Sequence, residues 1–473
     1  MTGVDAVQPV VVKLGGSILD TSDDVELAVE RVASMDVPRV VVVSALNGVT
    51  DWLIDRLDAV KNGESAVEQA INELRHRHVV GAPEAVTSSV TEAIAPPIDQ
   101  LERLLYGVAY TGELTPRVRE HILSYGERLA ARIIAAGLAG RGIDAIALDA
   151  DELGVVTDGT FGRATADIGA TRTAVRGDLE GWLDDGTIPV VTGFFGRDPA
   201  GDVTTFGRGG SDYSGAIIAR SIDAARYEVW KDVSGFLTAE PDRISQARPI
   251  RSMSYDEAAE LAYLGVEVLH PRTLEPLRKP EIPVVVSHVD TDDPAGTRIG
   301  PAVDTPRQLR AIGAREGFGI VRMHGSAMAH EPGVGQRVFA ELSDHGITVV
   351  NMAASQATFA LLIDAAAAPL ASDLLESATI PAVESVSHTT GHALVCIVGQ
   401  GIGLREGVAG QVFSVVGDAG VNIDMISVGS SDVAMSFVVD EADLHTALAA
   451  LHEALLEGGG TTTHAASSAS LGP

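Results

Sequence analysis

Two unbroken valine runs constrain this chain more than any other feature: Val10-Val-Val-Lys-Leu14 and Arg39-Val-Val-Val-Val43. A strand with one wet face alternates apolar and polar residues, whereas a strand covered on both faces does not. The runs therefore predict a parallel sheet held between two helical layers. Between them lie Val25, Leu27, Val29 and Val32, which supply the helix of a strand–helix–strand unit. Further strands are expected at 144–148, 188–192, 226–230 and 283–287. Residues 51–135 read as mostly helix, and Ser254 with Glu257 as a capping box. The fold class is α/β, a doubly wound, mostly parallel sheet. Its cores are aliphatic, because 45% of the chain is hydrophobic and only 4% aromatic.

Two loops rich in glycine carry the chemistry. The first run closes on Gly15-Gly16-Ser17, and Gly207-Arg-Gly-Gly-Ser-Asp212 follows the apolar stretch 188–195. Glycines let backbone N–H groups close on an anion, and an arginine grips a carboxylate or phosphate with two parallel bonds. Lys13 is set to reach a β- or γ-phosphate, and Arg208 to take a carboxylate. Asp212 is set to orient Lys13 or a metal-bound water. Ser44 and Thr50 flank the turn after the second strand, where open α/β sheets bind ligands. Hydroxyls there serve a substrate carboxylate or simply cap a turn. Glu127 is a candidate for a substrate ammonium, but its spacing reads first as an exposed helix glutamate paired with Arg128 or Arg132. The run from Trp230 through Lys231, Asp232 and Thr238 to Arg243 offers backbone for an adenine edge and polar groups for ribose and phosphate. His270, before Pro271, reads as structural. No Walker A string is present. Gly399-Gln-Gly-Ile-Gly403 has the wrong spacing for a dinucleotide fingerprint and reads as a turn.

Charge narrows the partners. The formal net charge is −31, which repels nucleic acid and anionic membranes and excludes both. It suits a salt-rich cytoplasm, where screening acts within about 3 Å at 1 M. Lysine is nearly absent: Lys13, Lys61, Lys231 and Lys279 are the whole set. Two of these four fall within the motifs above, while Lys61 and Lys279 read as surface residues. The single cysteine, Cys396, excludes an internal disulfide and a cysteine metal cage and reads as a buried hydrophobe. No residue is assigned as a metal ligand. No secretory signal and no apolar run near the roughly 20 residues of a membrane helix stand out. A soluble, cytoplasmic protein is expected.

Asp, Pro, Thr and Gly crowd residues 288–306 and mark a boundary after a catalytic domain at 1–300. Beyond it, strand–helix–strand order occurs twice at a spacing of roughly 74 residues, aligning 334–339 with 408–413. The repeats span 311–385 and 393–457, with strands expected at 346–351 and 420–424. Residues 458–473 read as a disordered tail.

Seven segments, in order along nearly the whole chain, resemble the aspartate kinases. They are Val12-Lys-Leu-Gly-Gly-Ser17, Val43-Ser-Ala-Leu-Asn-Gly-Val-Thr-Asp51, Gly112-Glu-Leu-Thr-Pro-Arg117, Ser124-Tyr-Gly-Glu127, Thr204-Thr-Phe-Gly-Arg-Gly-Gly-Ser-Asp212, Lys231-Asp-Val-Ser-Gly-Phe-Leu-Thr-Ala239 and Val268-Leu-His-Pro-Arg272. The resemblance implies an amino acid kinase fold followed by two α+β ACT-type regulatory domains. It implies transfer of the γ-phosphoryl of ATP, with Mg2+, to the β-carboxylate of aspartate. The product, 4-phospho-L-aspartate, opens the route to lysine, threonine, methionine and isoleucine. Lys13 would stabilise the transferring phosphoryl and Asp212 orient it. Glu127 would hold the ammonium, Arg208 a carboxylate, and Ser44 and Thr50 would steady the aspartate. Gly15, Gly16, Ser17, Gly209, Gly210, Ser211, Lys231, Asp232, Thr238 and Arg243 would line the nucleotide. Lysine or threonine is the expected effector, held near Gly333, Asn351, Met352 and Ser355, and ACT pairing implies a homo-oligomer.

Three departures stand out. Glu267 occupies a position where the family usually has lysine. The arginine of the turn Ala239-Glu-Pro-Asp-Arg243 is shifted by one, and Leu14 replaces a common phenylalanine. Two rival readings follow: a non-catalytic amino acid sensor, favoured only by Glu267, and a kinase of another carboxylate substrate such as acetylglutamate.

Overall fold

The computed structural model describes residues 8–61, 63–264, 268–290, 296–301, 309–326, 328–403 and 405–457. Glu267 and the tail expected at 458–473 lie outside them. The chain forms two units: residues 1–236 with 249–304, and residues 237–248 with 305–473.

The first unit is built on β1 (Val10–Leu14), β2 (Arg39–Val43), β3 (Ala145–Leu148), β4 (Ile188–Thr192), β5 (Phe195–Arg197), β6 (Val203–Thr205), β7 (Arg226–Lys231), β8 (Ser252–Ser254), β9 (Val284–His288) and β10 (Thr297–Gly300). Eight of these form one sheet in the order β3-β4-β2-β1-β7-β9-β10-β8. Its neighbours are parallel except β9 and β10. Val11, Val12 and Val40 to Val43 are wholly buried, as continuous valine demands of strands covered on both faces. The crossover helix Ser22–Ala33 is closed by a Thr21–Asp24 capping box and buries Val25, Val29 and Val32. The expected Ser254–Glu257 box is also present. Register matters most for function. Leu14 lies opposite Val43 and Trp230, and Val43 opposite Thr192. The chain therefore leaves β1, β2, β4 and β7 at one edge, the carboxyl end where open sheets bind ligands.

The second unit holds β11 (Ala311–His324), β12 (Val349–Ala354), β13 (Thr358–Asp364), β14 (Ser385–Val398), β15 (Met425–Ser427) and β16 (Ala434–Asp440), in the sheet order β12-β13-β11-β14-β16-β15. The repeats interleave. Ala311 to Arg315 pair with the second repeat's half of β14, and Phe318 to His324 with the first repeat's half, across an irregularity between Arg315 and Gly319. Helices Val334–Asp344 and Ala368–Ser377 cover one aliphatic core, and Val408–Asp418 and Leu444–His452 cover another. Two strands start later than their sequence suggests. Gly346 (φ +70°) and Gly420 (φ +77°) end the preceding helices, and the expected strand at 420–424 is instead a turn before Met425. There the Asn422 side chain donates to Asp424 at 2.9 Å. Residues 237–248 join this unit: Ala239 and Ile244 lie in its core, and Ile312 N–H donates to the Thr238 carbonyl at 2.8 Å. Cys396 is buried in β14. Among the described residues, no helix is long and apolar enough to cross a membrane.

Candidate active site

A cleft of about 550 Å3 opens at the carboxyl ends of β1, β2 and β4. Lys13, Gly16, Ser44, Thr50, Glu127, Arg208 and the turn through Asp212 all line it. The two glycine loops thus share one wall-to-wall site, as the kinase reading requires.

Its cationic end centres on Asp212. Lys13, 4% exposed, places Nζ 2.6 Å from Asp212 Oδ1, and Lys231 Nζ lies 3.4 Å from Oδ2. Burial works against the Asp212 charge, but Lys13 and Lys231 outweigh it and hold its carboxyl below the usual range. Burial pulls the Lys13 ammonium down against the opposing pull of Asp212. Two ammonium groups on one carboxylate leave a surplus of positive charge aimed at an incoming anion. Asp212 sits in the first turn of helix Gly210–Ser221, whose cap Gly209 has φ +69°. A Cβ at Gly209 would lie 2.4 Å from that of His270, so only glycine both adopts this backbone and admits the histidine. His270 Nδ1 accepts Arg272 N–H at 3.3 Å. Ser17 Oγ donates to Asp232 at 2.9 Å, tying the first loop to the segment after β7.

The opposite end centres on Glu127. Glu127 is 2% exposed, which overturns its reading as a surface residue. Arg128 and Arg132 pair with Asp149 and Asp151 instead, at 2.7–2.8 Å. Gly126 explains the burial, since a Cβ there would sit 2.7 Å from Ala45 Cβ, and its absence lets the helix press onto the 44–50 turn. Ala45 N–H donates to Glu127 Oε1 at 3.1 Å, while the buried Oε2 has no partner among the described residues. Burial pushes this carboxyl up to about 8, with the Ala45 amide and Lys13 pulling the other way. Arg208 stands between Gly207 (φ +76°) and Gly209. Among the described residues nothing bonds or pairs with its guanidinium.

Thr238 and Arg243 belong to the second unit. Thr238 Oγ1 meets His452 Nε2 at 3.0 Å, and Arg243 pairs with Glu240 and Glu316. Of the expected effector residues, Gly333 caps helix Val334–Asp344 with φ +85°, and Met352 is half exposed. Asn351 donates to Ser436 at 3.3 Å, linking β12 to β16. Ser355 Oγ accepts Thr358 N–H at 3.1 Å. Among the cleft residues that escaped the sequence reading are Phe194, Arg119 and Gly162. Phe194 holds φ +74°, an outlier for a bulky residue that no motif announces. Arg119 lies four residues before Leu123, which also lines the cleft, and that helical spacing was the available signal.

Residues 8–288 match the amino acid kinase family, and residues 395–455 match an ACT domain. Aspartokinase 1, chloroplastic, of Arabidopsis thaliana is 32% identical over 463 residues, covering 95% of this chain and 80% of its own. Lysine-sensitive aspartokinase 3 of Escherichia coli is 29% identical, covering 95% and 99%. Among solved structures, E. coli aspartokinase III with aspartate and ADP superposes with a TM-score of 0.78 at 29% identity, over 95% of this chain and 100% of that one. The same enzyme with lysine and aspartate gives 0.77 over 94% and 99%.

Proposed function

Because the chain belongs to the aspartokinase family of amino acid kinases, we propose that it transfers the γ-phosphoryl of ATP to the β-carboxylate of L-aspartate, giving 4-phospho-L-aspartate. One observation carries the reading. The cleft lined by the Lys13–Asp212 pair also holds a buried Glu127 oxygen and the Arg208 guanidinium, both without a partner among the described residues. An anion donor and an amino acid acceptor are thereby served together.

Glu127 holds the ammonium, Arg208 a carboxylate, and Ser44 and Thr50 steady the acceptor. The acceptor carboxylate is ionised at neutral pH, so no general base is needed. Lys13 stabilises charge on the transferring group, and Asp212 keeps that ammonium in place. Phosphoryl transfer rests on such positioning and charge compensation. Gly15 lines the first loop, where a Cβ would press on Trp230 O at 3.3 Å. Gly16, Ser17, Gly209, Gly210, Ser211, Lys231 and Asp232 complete the phosphate side. Thr238 and Arg243 are kept in the nucleotide set on resemblance alone. Mg2+ would be carried by the phosphates of the nucleotide. When bound, it would neutralise their charge.

We further assign feedback control by lysine or threonine at Asn351, Met352, Ser355 and Gly333, a homo-oligomer through the ACT repeats, and a salt-rich cytoplasm. The product opens the route to lysine, threonine, methionine and isoleucine. Assay with aspartate and with acetylglutamate tests the acceptor. Turnover of aspartate alone is expected, and turnover of acetylglutamate alone would replace this reading by the rival kinase.

A further inference from the structure

Among the described residues nothing bonds the Arg208 guanidinium, so whatever fixes its backbone fixes the grip on the substrate. The chain reaches Arg208 from β6 by way of Thr205, Phe206 and Gly207. Thr205 is anchored by a side chain outside every motif above. Glu120, 2% exposed, lies on helix Pro116–Leu123. Its Oε2 accepts three donors: Thr205 N–H at 2.8 Å, Thr205 Oγ1 at 2.5 Å and Gly162 N–H at 3.0 Å. Arg119 Nη1 lies 3.4 Å from Oε1. Arg119, Gly162 and Thr205 all line the cleft.

One carboxylate therefore joins three cleft walls that are far apart in sequence. The wall around Gly162 also supports the Arg208 turn directly, since a Cβ at Gly207 would meet the Gly162 carbonyl at 2.6 Å. Ala164 N–H donates to Thr205 O at 2.9 Å, so the loop and β6 are zipped to each other. The helix has one further tie to this region, Arg117 to Asp202 at 2.7 Å, with Arg117 70% exposed, and an exposed pair contributes little. Hydrogen bonds to a buried charged acceptor are the strong kind, and leaving the buried Thr205 amide without one is costly.

We propose that Glu120 is the positioning residue of the acceptor site: it sets the point at which Arg208 leaves the sheet and acts on aspartate only through that arginine. The inference rests on the aspartate kinase reading. Its test is a double-mutant cycle of Glu120→Gln with Arg208→Ala, read as KM for each substrate. In the Arg208 background, Glu120→Gln should raise KM for aspartate about tenfold or more and leave KM for ATP within about twofold. In the Arg208→Ala background it should change KM for aspartate by less than about twofold. Glu120→Asp, which keeps the charge, should recover part of the loss, and it takes the place of Glu120→Gln if that variant does not fold. Equal effects in both backgrounds, or a melting temperature that falls while both KM values stay put, would make Glu120 a purely structural residue and overturn the proposal. A wild-type enzyme without aspartate turnover would instead sink the underlying function, a result that cannot be mistaken for active enzyme with an unchanged KM.

Discussion

At the scale of single residues, Glu127 offers the sharpest prediction. Its carboxyl is pushed up to about 8 by burial, so the free enzyme holds it protonated at neutral pH. A substrate ammonium recruits the ionised form. Affinity for aspartate should therefore rise with pH, KM falling up to about tenfold per unit below 8 and levelling above it. Glu127→Gln should flatten that profile, as steady-state kinetics from pH 6 to 9 would record. Folding carries the same signature with its own sign. The native state retains a proton that the unfolded chain loses near 4.5, so this group weakens folding as pH rises between those values. Lys13→Ala should lower kcat by about 100-fold or more with KM for aspartate little changed. Lys13 and Arg208 were legible because a cation beside paired glycines has few other uses. Glu127 was legible only by resemblance: its burial depends on Gly126 meeting Ala45, a contact 81 positions apart that no local pattern records.

At the scale of elements, the valine runs, the glycine loops and the capping box translate almost directly into strands, turns and a helix start, because each is a local preference that the tertiary structure does not contradict. The errors cluster where glycine ends a helix. Gly346 and Gly420 were read as strand starts, although their positive φ assigns them to the helix before. Tight packing between elements yields its own prediction. Gly126→Val would force a side chain into Ala45 across a gap already at 2.7 Å, destabilising by about 1–3 kcal/mol. It should also raise KM for aspartate, because Glu127 and the 44–50 turn move apart. Denaturant melts beside kinetics would check both effects, and a neutral outcome would show that the helix can slide without disturbing the site.

At the scale of the whole molecule, composition speaks of surroundings and topology of regulation. A net charge of −31 should make activity rise with KCl toward molar concentrations, and inactivation by salt would refute the salt-rich setting. Interleaving of the two repeats was invisible in sequence, because a repeat finder sees order and not that Ala311 to Arg315 complete the second module. The same holds for residues 237–248, which follow the nucleotide motif in sequence yet bury Ala239 and Ile244 in the second unit's core. Removing residues 305–473 would strip that cover, so point variants test regulation better than truncation. Asn351→Ala or Ser355→Ala should weaken inhibition by lysine or threonine while leaving kcat intact. The most direct test of the central claim is hydroxamate trapping of the acyl phosphate with Mg-ATP and aspartate, at low and molar KCl, for wild type and Lys13→Ala. Hydroxamate is expected from the wild type, with a loss of about 100-fold in its rate of formation in the variant; no hydroxamate at either salt concentration would rule out phosphoryl transfer to aspartate.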